Sequence, residues 1–360
     1  AISYLVDLYR QGGRAIRTPI DLALYISFFP QLVAGPIVRY HQIAEQLKER
    51  RATFEGFSYG IARFVIGLGK KVLLANQLGF AADKLFAAAP EGGVGMAGAW
   101  LGILCYTLQI YFDFSGYSDM AVGLARMFGF KFPENFNYPY ISRSLREFWQ
   151  RWHISLSSWF REYVYFPLGG NRRGQARTYL NLLIVFFLTG FWHGASWNFI
   201  VWGMLHGVFM AAERTGPGKR LLAKAWPPLL HLYTLFVVAV TWVFFRAETL
   251  PGALTYLRIM FGGGTDAGAG AGAGGTSAIL AALPPEFWAA LFVGLFAAMP
   301  IFPWMRAWAG PRLSKLPAGK LAAVRFMYET AGAAALLAVF AACAMLLARS
   351  TYNPFIYFRF

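Results

Sequence analysis

Residues 178–212 run without a single Asp, Glu, Lys or Arg. A straight helix over this stretch of about 35 residues would extend roughly 52 Å. A bilayer hydrocarbon core is only about 30 Å thick. The stretch is therefore expected as a tight helical hairpin, or as one long tilted helix broken near Gly190 and Gly194. Further apolar stretches cover 22–38, 57–82, 94–112, 229–245, 287–302 and 330–348. A spanning helix needs roughly 17–25 such residues. The 94–112 stretch reads as a clean span. The first, interrupted by Pro30, Gly35 and Pro36, reads as broken or re-entrant. The second carries Arg63, Lys70 and Lys71 and reads as a helix lying partly in the membrane interface.

Composition agrees with a membrane solvent. Residues of the set AVILMFWYC make up 57% of the chain and charged residues 14%, with 18% aromatic. A soluble domain holds about 45–50% apolar and about 25% charged residues. One water-exposed globule of this size cannot hide that much apolar surface. Disordered, collagenous and disulfide-scaffold classes fail on the same grounds. The net charge of +16 suits cytoplasmic loops and anionic headgroups. A nucleic-acid binder of that charge would not bury long apolar runs, so no nucleic-acid partner is expected. The basic connections 113–177, 214–224 and 306–325 are expected on the cytoplasmic side and 246–286 outside. The tail carries Arg349 and Arg359, which leaves its side open. Cys105 and Cys343 lie inside apolar runs and read as packing residues. The chain opens on Ala1 with no charged leader, as expected of a sequence that starts part-way through a longer protein.

Residues 262–275 read as a flexible Gly/Ala loop within a single membrane-embedded domain over 1–360. G-x-G-x-x-G matches occur at Gly270, Gly272 and Gly275, and at Gly93, Gly95 and Gly98. Neither opens a βαβ unit, so both read as chance.

The residues with chemistry fall in three segments. Residues 144–165 place apolar side chains at helical spacing among Arg146, Arg151, Arg161, Glu147 and Glu162. The pattern predicts a basic, Trp-rich amphipathic helix at the membrane surface, with Ser144 and Glu147 as a capping box. His153 stands inside it, between Trp152 and the run Ser155, Ser157, Ser158. The second segment, TGFWHGASWN, sets His193 in an apolar run beside Gly190, Gly194 and Ala195. Ionisable residues at membrane depth point to function, and a desolvated neutral imidazole is suited to take a proton from a hydroxyl. A structural histidine bonding across helices is the other reading. In the third segment Asp113 and Asp119 flank Ser115 and Ser118, as helix caps or as the lining of a polar cavity. His206 is expected to pack between helices, and His41 and His231 to be interfacial or packing residues. No histidine pair has metal-ligand spacing backed by carboxylates, so no metal is expected.

Three motifs in order, FDFSGYSDMAVGLARMFGF, FWQRWHISLSSWFREYVYFPLGGNR and LTGFWHGASWNFIVWGMLHG, resemble the membrane-bound O-acyltransferase family. The likeness is to its bacterial alginate O-acetylation branch, which LVAGPIVRYHQI and the ending NPFIYFRF also resemble. The resemblance implies an all-α polytopic membrane protein, with interfacial and re-entrant helices around a central tunnel. Several N-terminal helices of the family would be missing from this sequence. It implies an acyltransferase that moves an acetyl group from a cytoplasmic thioester, acetyl-CoA or an acyl carrier, to hydroxyls of a secreted alginate-like polysaccharide. The thioester is a substrate, and no bound cofactor is implied. Location in the bacterial inner membrane and periplasmic partner proteins, such as an acetyltransferase, follow from the same likeness. His193 falls on the family's catalytic histidine and His153 on its second active-site histidine. Trp152, Trp192, Asn198, Asp113 and Ser115 are candidates to line the substrate tunnel, with Asn198 a possible donor to a developing oxyanion. The rival readings are an export conduit or transporter without chemistry of its own, and O-acylation of another cell-wall polymer. Peptidoglycan is one such polymer and teichoic acid, acylated with D-alanine, a more distant one.

Overall fold

The computed structural model describes residues 2–11, 15–16, 18–263 and 269–349, and all regular structure among them is helical. Two helical hairpins position the candidate site.

The first hairpin pairs a continuous helical path with one long helix. The path runs through Phe54–Gly69, a π-helical segment Lys70–Ala75, and Asn76–Ala88. Its partner is the 32-residue helix Met96–Met127. Glycines let the two backbones touch at two levels. A Cβ on Gly60 would lie 2.6 Å from the Gly123 carbonyl oxygen, and one on Gly67 2.5 Å from that of Gly116. This small-residue contact is how helices associate where the surroundings are as apolar as leucine.

Two expectations are corrected here. Asp113 and Asp119 cap nothing, because both lie well inside the Met96–Met127 helix and are buried. The cations of 57–82 turn inward towards them. Lys71 Nζ lies 2.5 Å from Asp113 Oδ1 and Lys70 Nζ 2.7 Å from Asp119 Oδ2. Arg63 Nε donates to Asp119 Oδ1 at 2.9 Å, and its Nη2 reaches Glu134 Oε2 at 2.5 Å. Buried charges persist only when paired. The positive residues that suggested an interfacial helix are therefore the counter-charges of the acidic residues on the next helix.

The second hairpin is the one expected within 178–212. Gln175–His193 turns through residues 194–196 into Trp197–Arg214. Ser196 Oγ accepts the Asn198 amide at 3.3 Å. Gly190 and Gly203 face each other across it, and a Cβ on either would collide with backbone of the opposite helix.

Pro227–Arg246 and Ala318–Arg349 are long and apolar enough to cross a membrane, and Gly274–Ala281 with Pro285–Ala297 form a pair bent by 97°. Phe326, Leu337, Phe340 and Met345 project outward from Ala318–Arg349, as a lipid-facing surface requires. These helices make a multi-pass membrane protein. The 22–38 stretch is broken as expected. Helix Pro19–Ser27 ends before a 3-10 turn at Phe29–Gln31, which holds Pro30. The Gly/Ala stretch differs from the loop expected over 262–275. From Ala269 it is helical, to Ala281, while 264–268 lie outside the described residues. Alanine is the strongest helix former, and Thr276 Oγ1 docks the element by accepting the Gly95 amide at 3.1 Å. The NPFIYFRF ending also lies outside the described residues.

Candidate active site

The amphipathic segment 144–165 is not one helix. It forms Leu145–Arg151 and Ile154–Phe160, followed by a π-helical turn Arg161–Tyr165. Ser144 caps the first helix, its Oγ accepting the Glu147 amide at 3.0 Å. The Glu147 carboxylate reaches back to the Arg143 amide at 2.9 Å, one residue beyond the expected capping box. The break falls on His153, whose backbone sits in the left-handed region at φ 43° and ψ 55°. That conformation is costly for a residue with a Cβ. The segment around Asn135 holds it there. The Asn137 amide donates to the Arg151 carbonyl and the Ile154 amide to the Asn135 carbonyl, both at 2.9 Å. Asn135 Oδ1 also accepts the Ser155 amide at 3.1 Å, and thereby starts the second helix. Backbone groups that a continuous helix would pair internally are paired with this segment instead.

His153 is 2% exposed and His193, the last residue of its helix, 9%. The two come together around Trp192. Its ring centroid lies 6.3 Å from that of His153 and 4.9 Å from that of His193. The Phe114 ring meets His153 edge-on at 4.6 Å. Trp202 and Phe245 flank His193 at 5.1 and 5.0 Å. His153 Nδ1 lies 3.2 Å from Asn135 Oδ1, and its Nε2 is buried with no hydrogen-bond partner. Burial, and then the neighbouring His193, hold the His153 imidazole well below its usual pKa range. The site thus offers an uncharged imidazole in a water-poor aromatic setting, with a second imidazole beside it.

The remaining candidates are placed differently. Trp152 is a core residue, stacked on Phe148 at 5.6 Å and packed on Trp242 at 5.2 Å. Trp192 is half exposed at the site itself. Asn198 Nδ2 donates to the Ala247 carbonyl at 2.6 Å, which braces the second hairpin against Pro227–Arg246. Asp113 and Ser115 sit on either side of Phe114. Asp113 pairs with Lys71, and the buried Ser115 Oγ has no hydrogen-bond partner. His206 is the packing residue expected. Trp149 Nε1 donates to its Nδ1 at 3.3 Å, and its Nε2 faces Thr241 Oγ1 at 3.0 Å. His41 faces Asp7 and His231 the Ser142 carbonyl. Asn135 was not among the expected residues. Its one signal in the sequence is a polar residue between Phe132 and Phe136.

Two cavities share the wall made by Leu156 and Phe160. One, of about 530 Å³, is lined mainly by apolar side chains, with Ser3, Tyr25 and Gln31 among them, and reaches Trp192. The other, of about 370 Å³, is lined by Leu182, Val185, Phe186 and Met210. Arg146, Arg161 and Arg214 line it too, and it reaches Ile154 and Thr189. Ile154 follows His153, and Thr189 stands one turn before His193 on the same helix face.

Residues 13–245 match the sequence profile of the membrane-bound O-acyltransferase family. The chain is 48% identical over 264 residues to a protein named probable alginate O-acetylase in Azotobacter vinelandii, covering 72% of this chain and 52% of that one. It is 43% identical to a peptidoglycan O-acetyltransferase of Helicobacter pylori, over 68% of this chain and 47% of the relative. A teichoic acid D-alanyltransferase of Bacillus subtilis is 31% identical, over 65% and 62%. The chain spans about half the length of the alginate-type relatives it matches.

Proposed function

Because the chain belongs to the membrane-bound O-acyltransferase family, we propose that it is an O-acyltransferase of the bacterial inner membrane. It moves an acetyl group from a cytoplasmic thioester towards hydroxyls of a secreted, alginate-like polysaccharide. The observation that carries this reading is the meeting of His153 and His193, 40 positions apart in sequence, around Trp192. His193 takes the proton of the acceptor hydroxyl. The oxygen attacks the thioester carbonyl, a C–O bond forms and the C–S bond breaks. The proton passes from His193 to the departing thiolate. An oxygen nucleophile needs such a base at neutral pH.

The arginine-lined cavity supports a donor that carries phosphate, such as acetyl-CoA or the pantetheine arm of an acyl carrier. Guanidinium groups bind phosphate with charge-assisted hydrogen bonds, and the same cavity is lined by Ile154 and Thr189, near neighbours of the two histidines in the chain. Identity favours the alginate-type acceptor, at 48% against 43% for the peptidoglycan enzyme and 31% for the teichoic acid one. Periplasmic partner proteins that receive or place the acetyl group belong to the same proposal.

The test is the ester-linked acetyl content of exopolysaccharide from cells making wild type or His193→Ala at matched membrane levels. Loss of acetyl at unchanged polymer yield is the expected result. Unchanged acetyl would make His193 structural and favour an export conduit without chemistry of its own.

A further inference from the structure

The hydrogen bonds around Asn135 decide which nitrogen of His153 carries its proton. The orientation of an Asn amide and the tautomer of a histidine follow from their hydrogen-bond partners. Here a backbone group settles the amide. The Ser155 N–H can only donate, so the Asn135 atom that faces it at 3.1 Å is the oxygen. The same oxygen accepts the Ser155 hydroxyl at 2.8 Å. Ser155 Oγ in turn accepts the Ile37 amide at 3.0 Å, so its hydroxyl hydrogen is directed at Asn135. The third group on that oxygen is His153 Nδ1, at 3.2 Å. An oxygen accepts and does not donate, so Nδ1 must bear the hydrogen. In a neutral ring Nε2 is then a bare lone pair, and it is the buried nitrogen without a hydrogen-bond partner.

We propose that Asn135 is a positioning residue that locks His153 as its Nδ1-protonated tautomer, so that Nε2 is a second proton acceptor in the site. This rests on the acyltransferase reading above and assigns a role within it. His153 shares the acceptor proton with His193, taking it on Nε2 as the imidazolium forms and returning it with the leaving thiolate. Asn135 stabilises that imidazolium through the Nδ1–H hydrogen bond.

Asn135 is itself held from two directions. Its carbonyl accepts the Ile154 amide. Its neighbour Glu134 is tied through Arg63 to Asp119 on the Met96–Met127 helix. The ring faces Phe114 from that helix, Phe136 from the Asn135 segment and Trp192 from the second hairpin. The titratable neighbour that acts on it is His193. Asp119 and Glu134 act on Arg63 instead.

The test reads the ring directly, by nuclear magnetic resonance of isotope-labelled histidine nitrogens in the full chain in lipid nanodiscs. The His153 signals are identified by their loss in His153→Gln. Wild type is expected to show a protonated Nδ1 and a bare Nε2. Asn135→Asp keeps the acceptor and adds a charge. It is expected to keep the tautomer and to raise the midpoint of imidazolium formation by about 1–3 pH units, the effect of an opposite charge at contact. Asn135→Leu is expected to lose the single tautomer. At matched membrane levels it is also expected to lose polysaccharide acetyl ester at least tenfold, which Asn135→Asp retains. A proton on Nε2 in wild type would overturn the proposal. So would an unmoved midpoint in Asn135→Asp, or full acetylation by Asn135→Leu. Since the resonance needs no turnover, failure of the acyl-transfer reading itself shows separately, as unchanged acetyl in His193→Ala.

Discussion

Gly203 lies against Gly190 so closely that a methyl group on Gly203 would stand 3.1 Å from the Gly190 amide nitrogen. Gly190 is three residues before His193, so this backbone contact fixes how far the histidine reaches towards Trp202 and Phe245.

Gly203→Val is therefore expected to push the hairpin apart. Overpacking of this kind costs about 1–3 kcal/mol, and more where the obstacle is backbone. The expected outcome is a lower thermal midpoint of the purified protein, together with loss of polysaccharide acetylation. A melting curve that superposes on wild type would refute the close-contact account.

His206 lies in the same aromatic core as His193, yet both of its nitrogens face partners in Trp149 and Thr241. Removing it leaves a buried indole N–H unsatisfied, at a cost of about 1–3 kcal/mol. His206→Ala should lower stability while acetylation per unit of folded protein stays near wild type. A folded but inactive variant would move His206 into the chemistry.

Breaking the Lys71–Asp113 pair strands a buried charge. Lys71→Met alone should destabilise by about 3–5 kcal/mol, and the double change with Asp113→Leu should recover most of that. Unfolding of the single and double variants in mixed micelles measures the coupling. Additive losses would mean that the two side chains act independently.

Arg161 lines the arginine-bearing cavity and is more than half exposed. Arg161→Ala should raise KM for acetyl-CoA about tenfold, the size of one lost charge-assisted hydrogen bond, with little change in kcat. Thiol release at varied acetyl-CoA measures it. An unchanged KM would remove this cavity from donor binding.

Much of the helical layout is legible because it rests on length and hydropathy. An uncharged stretch such as 178–212 exceeds one bilayer thickness, so a turn near Gly194 is nearly forced. His206 as a packing residue is legible for the same reason. The kink at His153 is not, because amphipathic spacing reports which residues face the protein and says nothing of a distant segment that competes for backbone hydrogen bonds. Asn135 escapes notice for that reason too. Its role exists only once Ser155 and His153 are folded onto it. The inward turn of Arg63, Lys70 and Lys71 is hidden in a similar way. A cation in an apolar stretch looks like an interfacial anchor until the helix carrying its carboxylate is laid alongside.

That last pairing bears on how the protein is made. Arg63, Lys70 and Lys71 match Asp113, Asp119 and Glu134 charge for charge. Presented to the bilayer alone, a helix with a central cation carries a penalty of about 2.5–3.5 kcal/mol per charge on the biological insertion scale. Presented together, the two helical elements pair Lys70, Lys71 and Arg63 with Asp113 and Asp119, and Glu134 in the segment that follows supplies the third carboxylate. Insertion of the path Phe54–Ala88 is therefore expected to be favoured once the Met96–Met127 helix is present to supply Asp113 and Asp119.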